Sequence, residues 1–331
     1  MAAMSSDTSV EPQGAGRRIA RRQCAEAVLV VRPASFGYNP ETAGSNKMQR
    51  PPDSGGGEEA LIARKEHDGL IAALMSEGVS VCAVEDTPQP PKTDAVFPNN
   101  WVSLHEDGTV VLYPMQAESR RRERRQDVLD AVAARLGFKV TRTVDLTSHE
   151  KHGRYLEGTG SMVLDHIERS AYACLSPRTD AVVMGEWCRE LGYEPILFSA
   201  VDRNGVPLYH TNVMMCIGER LAVVGTEAIV QADRQRVIER LRGAGREVIE
   251  IGHTEIEHFA GNMLELGTWD EALGDSRVLV MSEAARHALQ PEAFARLSAC
   301  TDQILAVPIP TIERLGGGSV RCTLAEVFLP A

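Results

Sequence analysis

Apolar and polar positions along the chain fall into two recurring rhythms. Short apolar runs at Ala27 to Val31, Val79 to Val84, Thr109 to Tyr113, Leu221 to Val224 and Arg277 to Met281 read as strands. Between such runs lie amphipathic stretches with a period near 3.6, from about Glu58 to Glu77, Arg121 to Leu136, Asp180 to Leu191, Thr226 to Leu241 and Ser282 to Leu297. These read as helices. Short strands, such as Lys139 to Val144 and Ala306 to Ile309, follow them.

The rhythm repeats on a larger scale. A hairpin of two short strands opens at Phe97, again at Leu156, at Tyr209 and at Phe259, and a last strand opens at Ser319; successive starts lie 50 to 60 residues apart. Each copy reads strand, strand, helix, strand. The last copy runs out of chain, while the N-terminus supplies Ala27 to Val31, a helix and Val79 to Val84, so head and tail complete one module. The expected fold class is therefore α/β, with five ββαβ modules closing into a ring that hides its sheet edges. An ordinary two-domain α/β protein is the alternative. In a ring, the residues that open each first strand point at one axis, so Asn100, Glu157, His210, Asn262 and Cys322 converge although they are far apart in sequence.

Composition narrows the function. Among 331 residues the net charge is -11, which disfavours wholesale nucleic-acid binding because phosphate neutralisation needs a basic face. The one basic run, Arg120 to Arg125, reads as a solvated helix face. Seven cysteines at 24, 82, 174, 188, 216, 300 and 322 have no metal-ligand spacing and imply a reducing compartment. Residues 1–24 read as a flexible tail without a signal peptide, residues 25–331 as a single domain, and no run is long enough to span a membrane. A cytoplasmic protein that needs neither metal nor organic cofactor is expected, and self-association stays open.

The candidate chemistry is that of a cysteine nucleophile. A thiolate needs a lowered pKa, an imidazole to move protons and a carboxylate to grip the reacting group. Cys322, His210 and Glu157 supply these types in matching repeat positions. Taken singly, each reads as a buried thiol, a strand histidine or a turn; jointly they read as a site.

The segments Arg32 to Thr42, Phe97-Pro98-Asn99-Asn100-Trp101, Leu156 to Met162, His210-Thr211-Asn212 and Gly317 to Cys322 together resemble the guanidino-group-modifying superfamily. That superfamily comprises arginine deiminases, dimethylarginine dimethylaminohydrolases, amidinotransferases and the arginine and succinylarginine dihydrolases. By motif the chain is most similar to the citrulline utilisation hydrolases. The resemblance implies a five-bladed α/β propeller, the pentein fold, with Cys322 as nucleophile, His210 as general acid and base, and Glu157 holding substrate nitrogens.

Where arginine deiminases carry aspartates, this chain has Asn100 and Asn212. Carboxylates suit a cationic guanidinium, which only donates hydrogen bonds; an amide also serves a neutral ureido group, whose carbonyl must be donated to. The pattern therefore points to citrulline as substrate, hydrolysed to ornithine, ammonia and carbon dioxide. Arginine or dimethylarginine hydrolysis and a non-catalytic amino-acid-binding propeller are the alternatives. Strand alternation would place Asn99 and Asn100 on opposite faces, and the motif match favours Asn100 at the substrate. Arg154 and Arg321 lie nearest the motifs as partners for a substrate carboxylate. The polar loop Ser35 to Gln49, with Asn39 and Asn46, either covers the site or is ordinary surface.

Overall fold

The expected unit of strand, strand, helix and strand forms as a three-stranded sheet, and the same sheet recurs. In a computed structural model that describes residues 22–52, 57–270 and 274–329, β3 (Val102–Leu104) pairs antiparallel with β4 (Thr109–Leu112), which pairs parallel with β5 (Arg142–Asp145). The pattern returns in β6 (Val163–Asp165), β7 (Ser170–Cys174) and β8 (Glu194–Phe198). It returns in β9 (Met215–Ile217), β10 (Leu221–Gly225) and β11 (Glu247–Ile251), and in β12 (Leu264–Asp270), β13 (Gly274–Ser282) and β14 (Gln303–Val307).

The fifth unit is split between the chain ends. The C-terminal strand β15 (Ala325–Val327) runs antiparallel to β1 (Ala27–Arg32), which pairs parallel with β2 (Ser80–Glu85). A single parallel pair, Val327 with Leu104, joins this unit to the next and gives a six-stranded sheet in the order β2-β1-β15-β3-β4-β5. The parallel step of each unit is spanned by helix: Gly57–Ser76, Gln126–Leu136, Ala181–Leu191, Gln231–Gly243 and Pro291–Cys300. None of the described helices is long and apolar enough to cross a membrane.

Local chemistry explains where the helices depart from their expected bounds. Asp180 starts the Ala181–Leu191 helix by accepting from the Val182 and Val183 amides, and left-handed Gly192 ends it. The expected helix over 282–297 is two, Glu283–Ala288 and Pro291–Cys300. Pro291 forces Gln290 into extended backbone and cannot donate to the preceding turn. The helix expected from Arg121 begins only at Gln126, after a separate 3-10 turn at Ser119–Glu123. Of the expected tail, residues 1–21 lie outside the described residues. At its end Gln23 and Cys24 are buried, and the Gln23 amide donates to the Leu164 and Ile217 carbonyls.

Candidate active site

In an antiparallel hairpin, the residues before the first strand and those after the second lie at the same end. That end carries the chemistry. The segments entering β3, β9 and β15 bring Phe97 and Asn100, His210, and Cys322 to one pocket. The loops leaving β1, β4 and β7 add Thr42 and Asn46, Arg120, and Arg178 to the same lining, with Asp94, Tyr209 and Gly316 to Gly318.

The expectation that the site residues open strands is corrected in detail. They sit on, or immediately before, single turns of helix that precede the strands: Asn100 on Pro98–Asn100, Glu157 before Gly158–Ser161, His210 before Thr211–Val213 and Cys322 on Val320–Thr323. A helical turn, unlike a strand, leaves Asn99 and Asn100 on neighbouring faces. Asn100 lines the pocket, and its Nδ2 donates to Asn99 Oδ1 at 2.9 Å.

His210 and Glu157 form a buried pair. Nε2 of His210 meets Glu157 Oε2 at 2.9 Å, and Glu157 also accepts from the Gln116 amide and from Arg178 Nη1 at 3.3 Å. Burial would raise the Glu157 carboxyl, but Arg178, the bond from His210 and Arg120 outweigh it and hold it well below the usual carboxylate range. Glu157 is thus ionised and acceptor-only, so Nε2 carries the imidazole proton and Nδ1 is the basic atom. Burial pushes His210 down to about 4 against the pull of Glu157, so the ring is neutral near pH 7. Glu157 lies behind His210, outside the pocket lining.

Three amides frame the reacting end. Asn262 Nδ2 lies 3.2 Å from Cys322 Sγ and Asn212 Nδ2 lies 3.6 Å from it, while Asn100 shares the pocket. Burial raises the Cys322 thiol above its ordinary value, and the Ser319 and Asn262 contacts only partly oppose this. The resting site therefore pairs a neutral thiol with a neutral imidazole.

Sequence reasoning missed the charged wall. Arg120, expected on a solvated helix face, is buried; it chelates Glu123 with Nε and Nη2, both at 2.9 Å, and donates to Asn100 Oδ1 at 2.8 Å. Arg178 is also buried, its Nη2 bonded to the Thr42 carbonyl and Ser45 Oγ and its guanidinium 5.2 Å from the Tyr209 ring centre. Asp94 accepts from Asn39 Nδ2 at 2.7 Å through one oxygen and keeps its other oxygen unpartnered. The repeat held the missing signal: Arg120 and Arg178 occupy the same place in their units, the loop after the middle strand.

The remaining candidates lie outside the pocket lining. Asn39 is buried behind Asp94. Arg154 is exposed. Arg321 is turned away, donating to the Leu324 carbonyl and to Glu326. In the Ser35 to Gln49 loop, Thr42 and Asn46 reach the pocket, and Asn46 Nδ2 donates to the Gly316 and Gly317 carbonyls. Among the described residues no cluster of three or more His, Cys, Asp or Glu could hold a metal ion.

The family model described as N,N dimethylarginine dimethylhydrolase, eukaryotic, matches residues 32–329. The chain belongs to this family. Members of this dimethylarginine dimethylhydrolase family are hydrolases of carbon–nitrogen bonds other than peptide bonds, within the guanidino-modifying pentein superfamily. No curated protein sequence matches the chain.

Solved structures agree on the α/β fold. The N-terminal domain of ArgZ bound to substrate, an arginine dihydrolase from the ornithine-ammonia cycle in Cyanobacteria, superposes with a TM-score of 0.68 at 16% identity, covering 92% of this chain and 98% of that one. AgrE in ternary complex with ornithine and NAD+ gives 0.69 at 19% identity, covering 92% of this chain and 40% of that one. A dimethylarginine dimethylaminohydrolase adduct with S-methyl-L-thiocitrulline gives 0.61 at 17%, covering 91% and 99%. The chain thus spans about two fifths of AgrE, and 41% of full-length ArgZ.

Proposed function

We propose that this chain hydrolyses the guanidino group of an arginine-like free amino acid, with Cys322 as nucleophile, His210 as general acid and base, and Glu157 fixing the His210 tautomer. The observation that carries this reading is the composition of one pocket: a thiol and an imidazole beside an unpartnered carboxylate oxygen on Asp94 and the guanidinium groups of Arg120 and Arg178. An α-amino acid is complementary to that wall, its ammonium meeting Asp94 and its carboxylate meeting the arginines. The five units, over residues 25–331, are read as one catalytic domain closed into a five-bladed α/β propeller.

The chemistry follows from the resting charges. A bound guanidinium cation next to Cys322 favours the thiolate, offsetting the burial that keeps it protonated. The Cys322 proton passes to His210, the thiolate attacks the central carbon, and His210 hands that proton to the departing amine as the carbon–nitrogen bond breaks. His210 then takes a proton from water, which attacks the thiouronium carbon and releases the ureido product and the free thiol. A second passage on the ureido group forms a carbamate and ornithine, and the carbamate falls to ammonia and carbon dioxide.

Citrulline as the incoming substrate is a second reading, favoured by Asn100 and Asn212, whose amides can serve a neutral ureido group. The deciding measurement is product release from arginine, N,N-dimethylarginine and citrulline side by side, with Cys322→Ser as control. Turnover of a guanidino substrate, lost in the variant, is the expected result. Turnover of citrulline alone moves the reading to a ureido hydrolase, and turnover of none of the three overturns it.

A further inference from the structure

Asn262 enters the site from the fourth unit, on a turn that the chain maintains at a cost. Phe259 opens this turn with φ of 61°, a left-handed conformation that is strained for a non-glycine residue. The turn is closed by the Asn262 amide donating to the Phe259 carbonyl at 2.8 Å. Gly261 presses it against the Met214 backbone so closely that a Cβ there would lie 2.5 Å from the Met214 carbonyl carbon.

What this strain positions is one amide whose orientation its partners dictate. Oδ1 of Asn262 accepts from the Arg321 backbone N–H at 3.0 Å, and Nδ2 donates to the Asn212 carbonyl at 2.7 Å. A backbone N–H can only donate and a carbonyl can only accept, so the oxygen and nitrogen cannot be exchanged. The second N–H of Nδ2 is left for Cys322 Sγ, 3.2 Å away.

We propose that Asn262 is a catalytic hydrogen-bond donor to the Cys322 sulfur, locking it in place for attack and stabilising the thiolate that the reaction requires. A thiol accepts a hydrogen bond weakly, whereas a thiolate accepts a charge-assisted one, so the contact strengthens as the proton leaves. The same side chain clamps the turn that carries Cys322, through Arg321, to the turn that follows His210, through Asn212. It therefore couples the position of the nucleophile to that of the base.

Other groups bear on the same sulfur. Arg321, on the same turn, favours the thiolate, although its side chain is paired with Glu326; Tyr209 and His210 face the pocket from the segment before β9. Asp94, Arg120 and Arg178 complete the charged lining, with Glu157 behind His210. Substituting Asn262 removes none of these charges, so a shift in thiol titration reports the loss of the Asn262 contacts themselves.

The inference rests on Cys322 as nucleophile, and its test needs no substrate. Iodoacetamide labelling of Cys322, followed peptide by peptide in intact protein, gives the pH midpoint of thiolate formation. In Asn262→Ala the midpoint should rise by about one pH unit, which makes labelling roughly tenfold slower at any pH below it. Asn262→Asp keeps the acceptor for the Arg321 amide and replaces the donor by a carboxylate whose charge also opposes the thiolate, so it should shift the midpoint further than alanine does; should the alanine variant fail to fold, an unshifted midpoint in Asn262→Asp still counts against the donor. Asn212→Ala, removing a contact at 3.6 Å, should shift it less. A wild-type midpoint in folded Asn262→Ala and Asn262→Asp overturns the proposal. A wild-type protein inert toward every substrate, but with these shifts intact, would sink the proposed activity and leave the donor role standing.

Discussion

At the scale of single residues, the site is constrained by a missing side chain. A Cβ on Gly160 would lie 2.5 Å from Asn100 Nδ2 and 2.7 Å from His210 Nδ1. The backbone of the Gly158–Ser161 turn is thus packed against both the amide and the basic nitrogen. Gly160→Ala should displace one of them by enough to cost at least about a hundredfold in kcat/KM, because misplacement on the ångström scale has that effect, while the far-UV circular dichroism stays native. Unchanged kinetics would mean that neither group needs its present position. That Cys322, His210 and Asn100 come to one pocket was legible in sequence because each holds a repeated place. The same was not legible for Asp94, Arg120 and Arg178, since nothing in their immediate sequence marks them as buried, and Arg120 stands in a basic run that reads as solvated. Only the fold reveals that Glu123, Asp94 and Asn100 surround Arg120.

Secondary-structure elements were read best where period and caps agreed, as in the helix Ala181–Leu191 between Asp180 and Gly192. The reading failed where a short turn interrupts a period, as before Gln126 and at Pro291, because a few residues of 3-10 or extended backbone do not alter an amphipathic pattern. The long helix Gly57–Ser76 contains a different inconsistency. His67 is wholly buried with both ring nitrogens unpartnered, on a helix whose Ala63, Leu70 and Leu74 also enter the core. Burial pushes its imidazole down to about 4, with Asp68 opposing and Arg32 and Arg64 adding to the shift. As pH falls through 6.5 the unfolded chain takes up a proton that the folded chain refuses until about 4, so the destabilisation that this residue brings grows across that window. His67→Leu should therefore stabilise the protein by about 1 kcal/mol at pH 7, the cost of an unsatisfied buried polar group, and by about 1 kcal/mol more at pH 5.5. Denaturant unfolding at the two pH values measures this; an equal gain at both would show that the folded chain already binds the proton.

For the whole molecule, the consequential feature is the unit shared between the two ends of the chain. The repeat spacing made this shared unit readable in advance, since the last copy lacks the strands that the N-terminus supplies. Its mechanical consequence comes from the sheet order, in which β15 is the one described strand lying between β1 and β3. Ala325 and Val327 are buried with Ala27, Leu29, Val102 and Leu104 in a common apolar cluster. Removing β15 would expose the edges of two strands and open that cluster, a loss spread over units that are distant in sequence. A chain ending at Thr323 retains Cys322, His210, Glu157, Asn100, Asn212, Asn262 and every charged residue of the pocket lining. If the site were built by its turns alone, this truncated chain would still bind and turn over substrate. If β15 fastens the first and last units together, it should lose native circular dichroism, cooperative unfolding and all activity at once, although no residue of the proposed chemistry has been touched. Single-transition unfolding of the full-length chain, followed at probes near β1 and near β15, should give coincident midpoints. Separate midpoints, or an active truncated chain, would mean that the two ends fold independently and that the site does not depend on their union.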